Sequence, residues 1–223
     1  MHHRRLAVTV TALAVAIFST ACSGAGSASD AKHSAAPSSP AANAQSPAAG
    51  APATLPYGPG PQAKYTVQAQ ASAGSCHAGT SNGQPLPDPK CTPGALNPKV
   101  TPATLKETIC KSGYTSTIRP PAAITGAEKT ANAKSYGYTG SLHDAEEDHL
   151  VSLELGGDPN DPRNLWVEPP SPGHKPGAGP NNPKDAVESK LHTAICTGKT
   201  QLAAAQNAIA TDWPNALAKL GLS

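Results

Sequence analysis

The sequence predicts a small α+β domain stapled by disulfides, and three observations predict it. Two short apolar stretches, Glu146–Leu155 and Asn164–Val167, flank the turn-rich segment Gly156–Pro162. Short strands separated by Gly, Pro and Asn are the pattern of a hairpin. A well-marked helix follows, with Asn182 as N-cap, Pro183 at its first position, and Val187, Leu191 and Ile195 on one stripe. Beyond Cys22 there are four cysteines, Cys76, Cys91, Cys110 and Cys196, an even number that suits an oxidising compartment.

Four cysteines allow three pairings. The favoured one joins Cys76 to Cys91 across a short Gly/Pro/Asn-rich loop, and Cys110 to Cys196. The second pair ties an early segment to a late helix and removes more unfolded-chain entropy. The competing reading, a zinc site, lacks any CxxC pair. Aromatic residues are only 4% of the chain, so the core is small and disulfides are a needed supplement. Net charge is only +2, which leaves no broad basic field to grip a nucleic-acid backbone non-specifically.

The N-terminus carries an export signal, residues 1–22. His2, His3, Arg4 and Arg5 precede a mostly apolar run, Leu6 to Phe18, then small residues and Cys22. The run is shorter than the roughly 20 residues that span a bilayer. Ser19-Thr20-Ala21-Cys22 resembles a bacterial lipobox, with Ser19 where Leu is usual; lipidation of Cys22 would make the chain a membrane-anchored lipoprotein, and ordinary cleavage would release it. Residues 23–63 are Ala, Ser, Pro and Gly with few large apolar residues, the composition of a disordered tether. The domain is expected over 64–223.

Within it, Tyr65–Gln68 reads as a short strand and Cys76–Pro98 as a disulfide-held loop. Thr101 and Pro102 open an expected helix to Cys110. Thr115–Arg119 reads as extended before Pro120-Pro121. Thr125 with Glu128 forms a capping-box pattern for a helix to Tyr136. Glu168–Asn181 is a Pro/Gly-rich loop, Gly198 closes the marked helix, and a last helix spans about Thr200–Asp212 before Pro214.

The chemistry-bearing string is Glu146-Glu147-Asp148-His149, followed by Asn164-Leu165-Trp166 and a helix carrying His192. Strand, turn, strand and helix in this order resemble the ββα-metal fold of HNH nucleases, with its core at about 143–197. The wider string resembles a family of exported actinobacterial HNH-like proteins, patterned DHLxPLELGG, NLWPEP, KDxxExxLHxxxC and AQxAIxxDW. It is matched by Asp148 to Gly157, Asn164 to Pro169, Lys184-Asp185, Glu188, Leu191-His192, Cys196, Ala205-Gln206, Ala208-Ile209 and Asp212-Trp213. Ser152 stands where that pattern has proline, and a second helix histidine is absent.

The resemblance implies a metal-dependent nuclease acting on DNA or RNA outside the cell. His149 would be the general base that activates water, and Asn164 would orient its ring through the side-chain carbonyl. Asp148 and His192 would hold one divalent ion, Mg²⁺, Mn²⁺ or Zn²⁺. Asp185, Glu188 and His192 fall within about 60° on the helix, so a carboxylate there could reach the ion; Glu154 is a further candidate. Adjacent strand residues point to opposite faces, so Asp148 and His149 reach one cavity only near a bend. Trp166 and Trp213 read as core. Arg119 and Arg163 read as surface residues that could meet phosphate. The rival reading is a non-catalytic cell-surface lipoprotein that uses the fold as a binding module.

Overall fold

The computed structural model describes residues 54–222; the export signal, Cys22 and most of the tether lie outside the described residues. Four short strands are present among them: β1 (Gly79–Ser81), β2 (Gln84–Leu86), β3 (Glu146–His149) and β4 (Leu165–Glu168). The helices are α1 (Tyr114–Ile118), α2 (Ala122–Ser135), α3 (Lys184–Cys196), α4 (Leu202–Asp212) and α5 (Ala216–Lys219), with 3₁₀ turns at Leu153–Leu155 and Trp213–Asn215. The class is α+β. The strands form two antiparallel pairs, β1 with β2 and β3 with β4.

The β3–β4 pair positions everything that follows. Its register sets Glu146 opposite Glu168, Glu147 opposite Val167, Asp148 opposite Trp166 and His149 opposite Leu165. Side chains alternate across a strand, so Glu146 and Asp148 share one face with Trp166 and Glu168. Glu147 and His149 belong to the other. Helix α3 lies against the first face through Lys184, and Asn182 just before it bonds Glu168 there. Helix α2 covers the other, where Ala133, Ala145 and Val167 form a small apolar cluster.

The main core lies between α3, α4, α5 and the 151–155 segment, and includes Val151, Leu155, Leu191, Ile195, Ile209 and Trp213. Each such aliphatic side chain contributes roughly 1.5–3 kcal/mol when fully buried. The stripe read on α3 thus faces the core through Leu191 and Ile195, and both tryptophans are buried. Helix α3 begins one residue later than expected, at Lys184 with Pro183 as its N-cap, and Asn182 Oδ1 accepts from the Lys184 amide at 2.9 Å. Both favoured disulfides are present, Cys76–Cys91 and Cys110–Cys196, with Cα separations of 5.9 and 5.6 Å. They fit an oxidising, extracytoplasmic setting. No helix among the described residues is long and apolar enough to cross a membrane.

Several local expectations are corrected. The expected tether boundary at 63 is too late. Leu55 packs on the main core, the Gly58 amide donates to the Leu96 carbonyl at 2.9 Å, and the Gly60 amide donates to Asp158 at 2.6 Å. Tyr65–Gln68 forms no strand, because side chains take its backbone groups: Glu128 accepts from the Gln68 amide and Asn160 donates to the Thr66 carbonyl. Residues 101–110 are successive turns rather than a helix. The Thr104 hydroxyl accepts from the Thr101 amide and donates to the Lys99 carbonyl, and the Thr108 hydroxyl donates to the Thr104 carbonyl, side-chain bonds that compete with helical pairing. Residues 114–118 are helical, not extended, since Gly113 at φ +80° redirects the chain and Pro120 soon ends it. Helix α2 starts at Ala122 behind Pro121, and Glu128 turns inward to Gln68, so no capping box forms.

Candidate functional site

Strand β3 ends at His149, and the chain then bends through Leu150 and Val151 into the 3₁₀ turn. Asn164 makes that bend. Its Oδ1 accepts from the Val151 amide at 3.0 Å, and its Nδ2 donates to the carbonyls of Val151 and Asp158, each at 3.0 Å. Gly157 completes the crossing: a Cβ there would lie 1.7 Å from the Val151 carbonyl oxygen. Only glycine permits that approach.

The His149 ring is buried and donates Nε2–H to the Pro159 carbonyl at 3.0 Å. The neutral ring therefore carries its lone pair on Nδ1. Burial drives its pKa down to about 4, against the Pro159 bond and Asp148, which favour the charged form; Arg119 and Lys184 add to the lowering. Contrary to the expectation from the sequence, Asn164 does not orient the ring through its side-chain carbonyl, which accepts from the Val151 amide instead. It acts one step back, by holding the Asp158 carbonyl in the turn that supplies Pro159. Its amide must bond backbone here, because Val151 and Asp158 have no ladder partner at the bend.

Asp148 faces the other way. Its Oδ2 accepts from the Trp166 indole at 2.8 Å and lies 2.9 Å from Lys184 Nζ; its Oδ1 lies 3.1 Å from the same ammonium. Lys184 is fully buried and also donates to the His149 carbonyl at 2.9 Å and to Glu188. Burial alone would lower its pKa, but Asp148, Glu188 and Glu168 outweigh that and raise it. Around it Glu168 and Glu188 are raised, mainly by burial. Glu146 is raised by burial and by Asp148 and Asp185. Asn182 Nδ2 bridges Glu146 and Glu168, and Glu168 Oε1 is buried without a partner.

His192 lies one turn beyond Glu188, about 6 Å along the helix axis. Its ring donates Nε2–H to the Ile109 carbonyl at 2.8 Å, and Nδ1 lies 4.0 Å from Glu154. The expected Asp148–His192 ion site is therefore not assembled: both Asp148 oxygens are taken by Lys184 and Trp166, and His192 is turned to a different carbonyl. His192 is instead grouped with Cys110 and Cys196, whose ligand atoms lie within 4.8 Å of one another and could hold a metal ion. Cys110 and Cys196 are joined to each other, and metal ligation needs thiolates, so that group binds an ion only when the disulfide is open.

Glu154, Asp185 and Glu188 do come together. With Thr115, Arg119 and Ser152 they line a cleft of about 220 Å³, and the Ser152 hydroxyl there is buried without a partner. Thr115 and Glu154 continue into a neighbouring depression with Tyr114 and His192. Arg163 is committed elsewhere, paired to Asp161 at 2.6 Å.

Sequence reading assigned no role to Lys184, Glu146 or Glu168. The i,i+4 spacing of Lys184 and Glu188 is a readable signal. The Glu146–Glu168 juxtaposition requires the strand register. No family profile, curated protein or solved structure matches this chain.

Proposed function

We propose that this domain is an exported, HNH-like phosphodiesterase acting on DNA or RNA, with His149 as the general base. The observation that carries the reading is the His149 ring itself. It sits at the end of the first strand of a hairpin that precedes a helix, its Nε2–H is fixed on Pro159, and burial keeps it neutral at pH 7. A neutral imidazole with its lone pair on Nδ1 is the form that accepts a proton from water. Arg119, whose charge is felt at that ring and which lines the cleft formed with Ser152, Glu154, Asp185 and Glu188, is the group to meet a phosphate.

A divalent ion between Asp148 and His192 does not fit the residues present, because Lys184 and Trp166 occupy the Asp148 oxygens and the His192 ring bonds the Ile109 carbonyl. Attachment to a membrane through a lipidated Cys22 belongs to the same reading, as does export by the leader. The second reading, a non-catalytic module that binds through the cleft, is favoured by one observation: the carboxylate expected to hold the ion is neutralised by Lys184.

Plasmid nicking and oligoribonucleotide cleavage by the purified chain, with Mg²⁺, Mn²⁺, Zn²⁺ or a chelator, test the proposal beside His149→Ala. Loss of about 10²–10⁴-fold in rate is expected on removing the base. Cleavage that survives the substitution overturns the mechanism. Absence of cleavage in every condition, with oligonucleotide binding retained, selects the module.

A further inference from the structure

At the seam between the β3–β4 hairpin and the start of α3, Asp148 and Glu188 share the Lys184 ammonium, and Glu146 and Glu168 share the Asn182 amide. Glu146, Asp148 and Glu168 come from the strands, Asp185 and Glu188 from the helix, and they feel one another's charge. Oxygen-rich seams of this kind are where hard divalent ions are held, at about 2.0–2.6 Å from each oxygen. Here the centre is filled. The Lys184 side chain is wholly buried, and its ammonium offers three N–H donors. Three acceptors surround it: the Asp148 carboxylate at 2.9 and 3.1 Å, the His149 carbonyl at 2.9 Å, and Glu188. The Asp148 and His149 separations suit N–H···O bonds, not metal coordination. The remaining demand of Asp148 is met by the Trp166 indole.

We infer that the Lys184 ammonium is a built-in cation occupying the place a divalent ion would take between Asp148 and Glu188. The seam therefore recruits no metal, and the fold carries its own counter-charge there. Lys184 is also a positioning residue. By gripping the His149 carbonyl and Asp148 together, it clamps the end of β3 to the first two turns of α3 and so fixes where the His149 ring begins. The readout is ion binding, so the inference stands or falls separately from phosphodiester cleavage.

Titration of the full, disulfide-intact chain with Mn²⁺, followed by electron paramagnetic resonance and by thermal melts, tests it. The native chain is expected to show no stoichiometric Mn²⁺ site that depends on Asp148, and its melt is expected to be the same in Mn²⁺ and in chelator. Lys184→Ala empties the position and leaves Asp148 and Glu188 facing a void. It is expected to lose stability, to regain it with Mn²⁺, and to bind the ion at least about tenfold more tightly than the native chain. Lys184→Met fills the volume without charge and is expected to be destabilised with no recovery in Mn²⁺.

The native-chain titration decides the matter even where Lys184→Ala does not fold. One equivalent of Mn²⁺ bound by the native chain, and lost in both Asp148→Asn and Glu188→Gln, overturns the inference. A folded Lys184→Ala that takes up no ion overturns it equally.

Discussion

At the scale of single residues, the β3–β4 hairpin divides its acids by face. Asp148 finds an ammonium and an indole, whereas Glu147, one residue earlier, faces away from them and finds nothing. Both Glu147 carboxylate oxygens are buried without partners. Burial, then the charge of Glu128, raises its pKa to about 8, with Lys129 opposing. The folded value lies above the unfolded one, so the folded state binds this proton more tightly. The resulting stability is fully present below about pH 4.5 and is lost as pH rises through about 8. Glu147→Gln is therefore expected to be nearly neutral at pH 4 and to stabilise by about 1–3 kcal/mol at pH 8–9. Urea denaturation at a series of pH values measures this; a stabilisation independent of pH would refute the ionic cause. The acid-rich string was legible in the sequence, but which acid meets a cation depends on strand face and register.

Among elements, the bend after β3 and the end of α3 each depend on a glycine, for different reasons. Gly198 has φ +74° with open space around it, so alanine there meets only the left-handed backbone penalty. That costs about 1–2 kcal/mol. Gly157 is wedged against the Val151 carbonyl, and alanine there must displace the backbone that Asn164 bonds. Gly157→Ala is expected to cost more than about 3 kcal/mol, the range reserved for strain and broken buried bonding. Denaturant unfolding of the two variants ranks them; equal costs would show that the bend relaxes freely. The helix α3 and both partners of the hairpin were readable, because periodicity, an N-cap and turn residues are local signals. The helix expected at 101–110 and the extended segment at 115–119 were misread because threonine side chains and Gly113 act through backbone geometry that pattern alone does not display.

Across the whole molecule, the two disulfides do unequal work. Cys110–Cys196 closes a loop with a sequence separation of 86, Cys76–Cys91 one of 15. The chain-entropy relation gives about 4.5 and about 3 kcal/mol. Cys110→Ser with Cys196→Ser is expected to lower the unfolding free energy more than Cys76→Ser with Cys91→Ser, by calorimetry under non-reducing conditions. The reverse order would show that the long loop is already restricted in the unfolded chain. The small main core and the docking of residues 54–62, which lengthens the domain at its N-terminal side, are consistent with a fold that relies on covalent staples.

By itself the sequence determined the α+β class, the hairpin and the helix that follows it, the favoured pairing of the four cysteines as two disulfides, and most of the residues among which a site had to be sought. These rest on composition and on signals between near neighbours in the chain. The tertiary structure alone decided that Asp148 and His149 serve opposite faces, that Asn164 holds the backbone bend rather than the ring, that His192 turns to Ile109, and that Asp148 is paired with Lys184. Asp148 and Lys184 are 36 residues apart. Whether a buried carboxylate there meets a metal or an ammonium depends on how the 169–183 loop brings α3 onto the hairpin, and long-range closure of that kind leaves no periodicity to read.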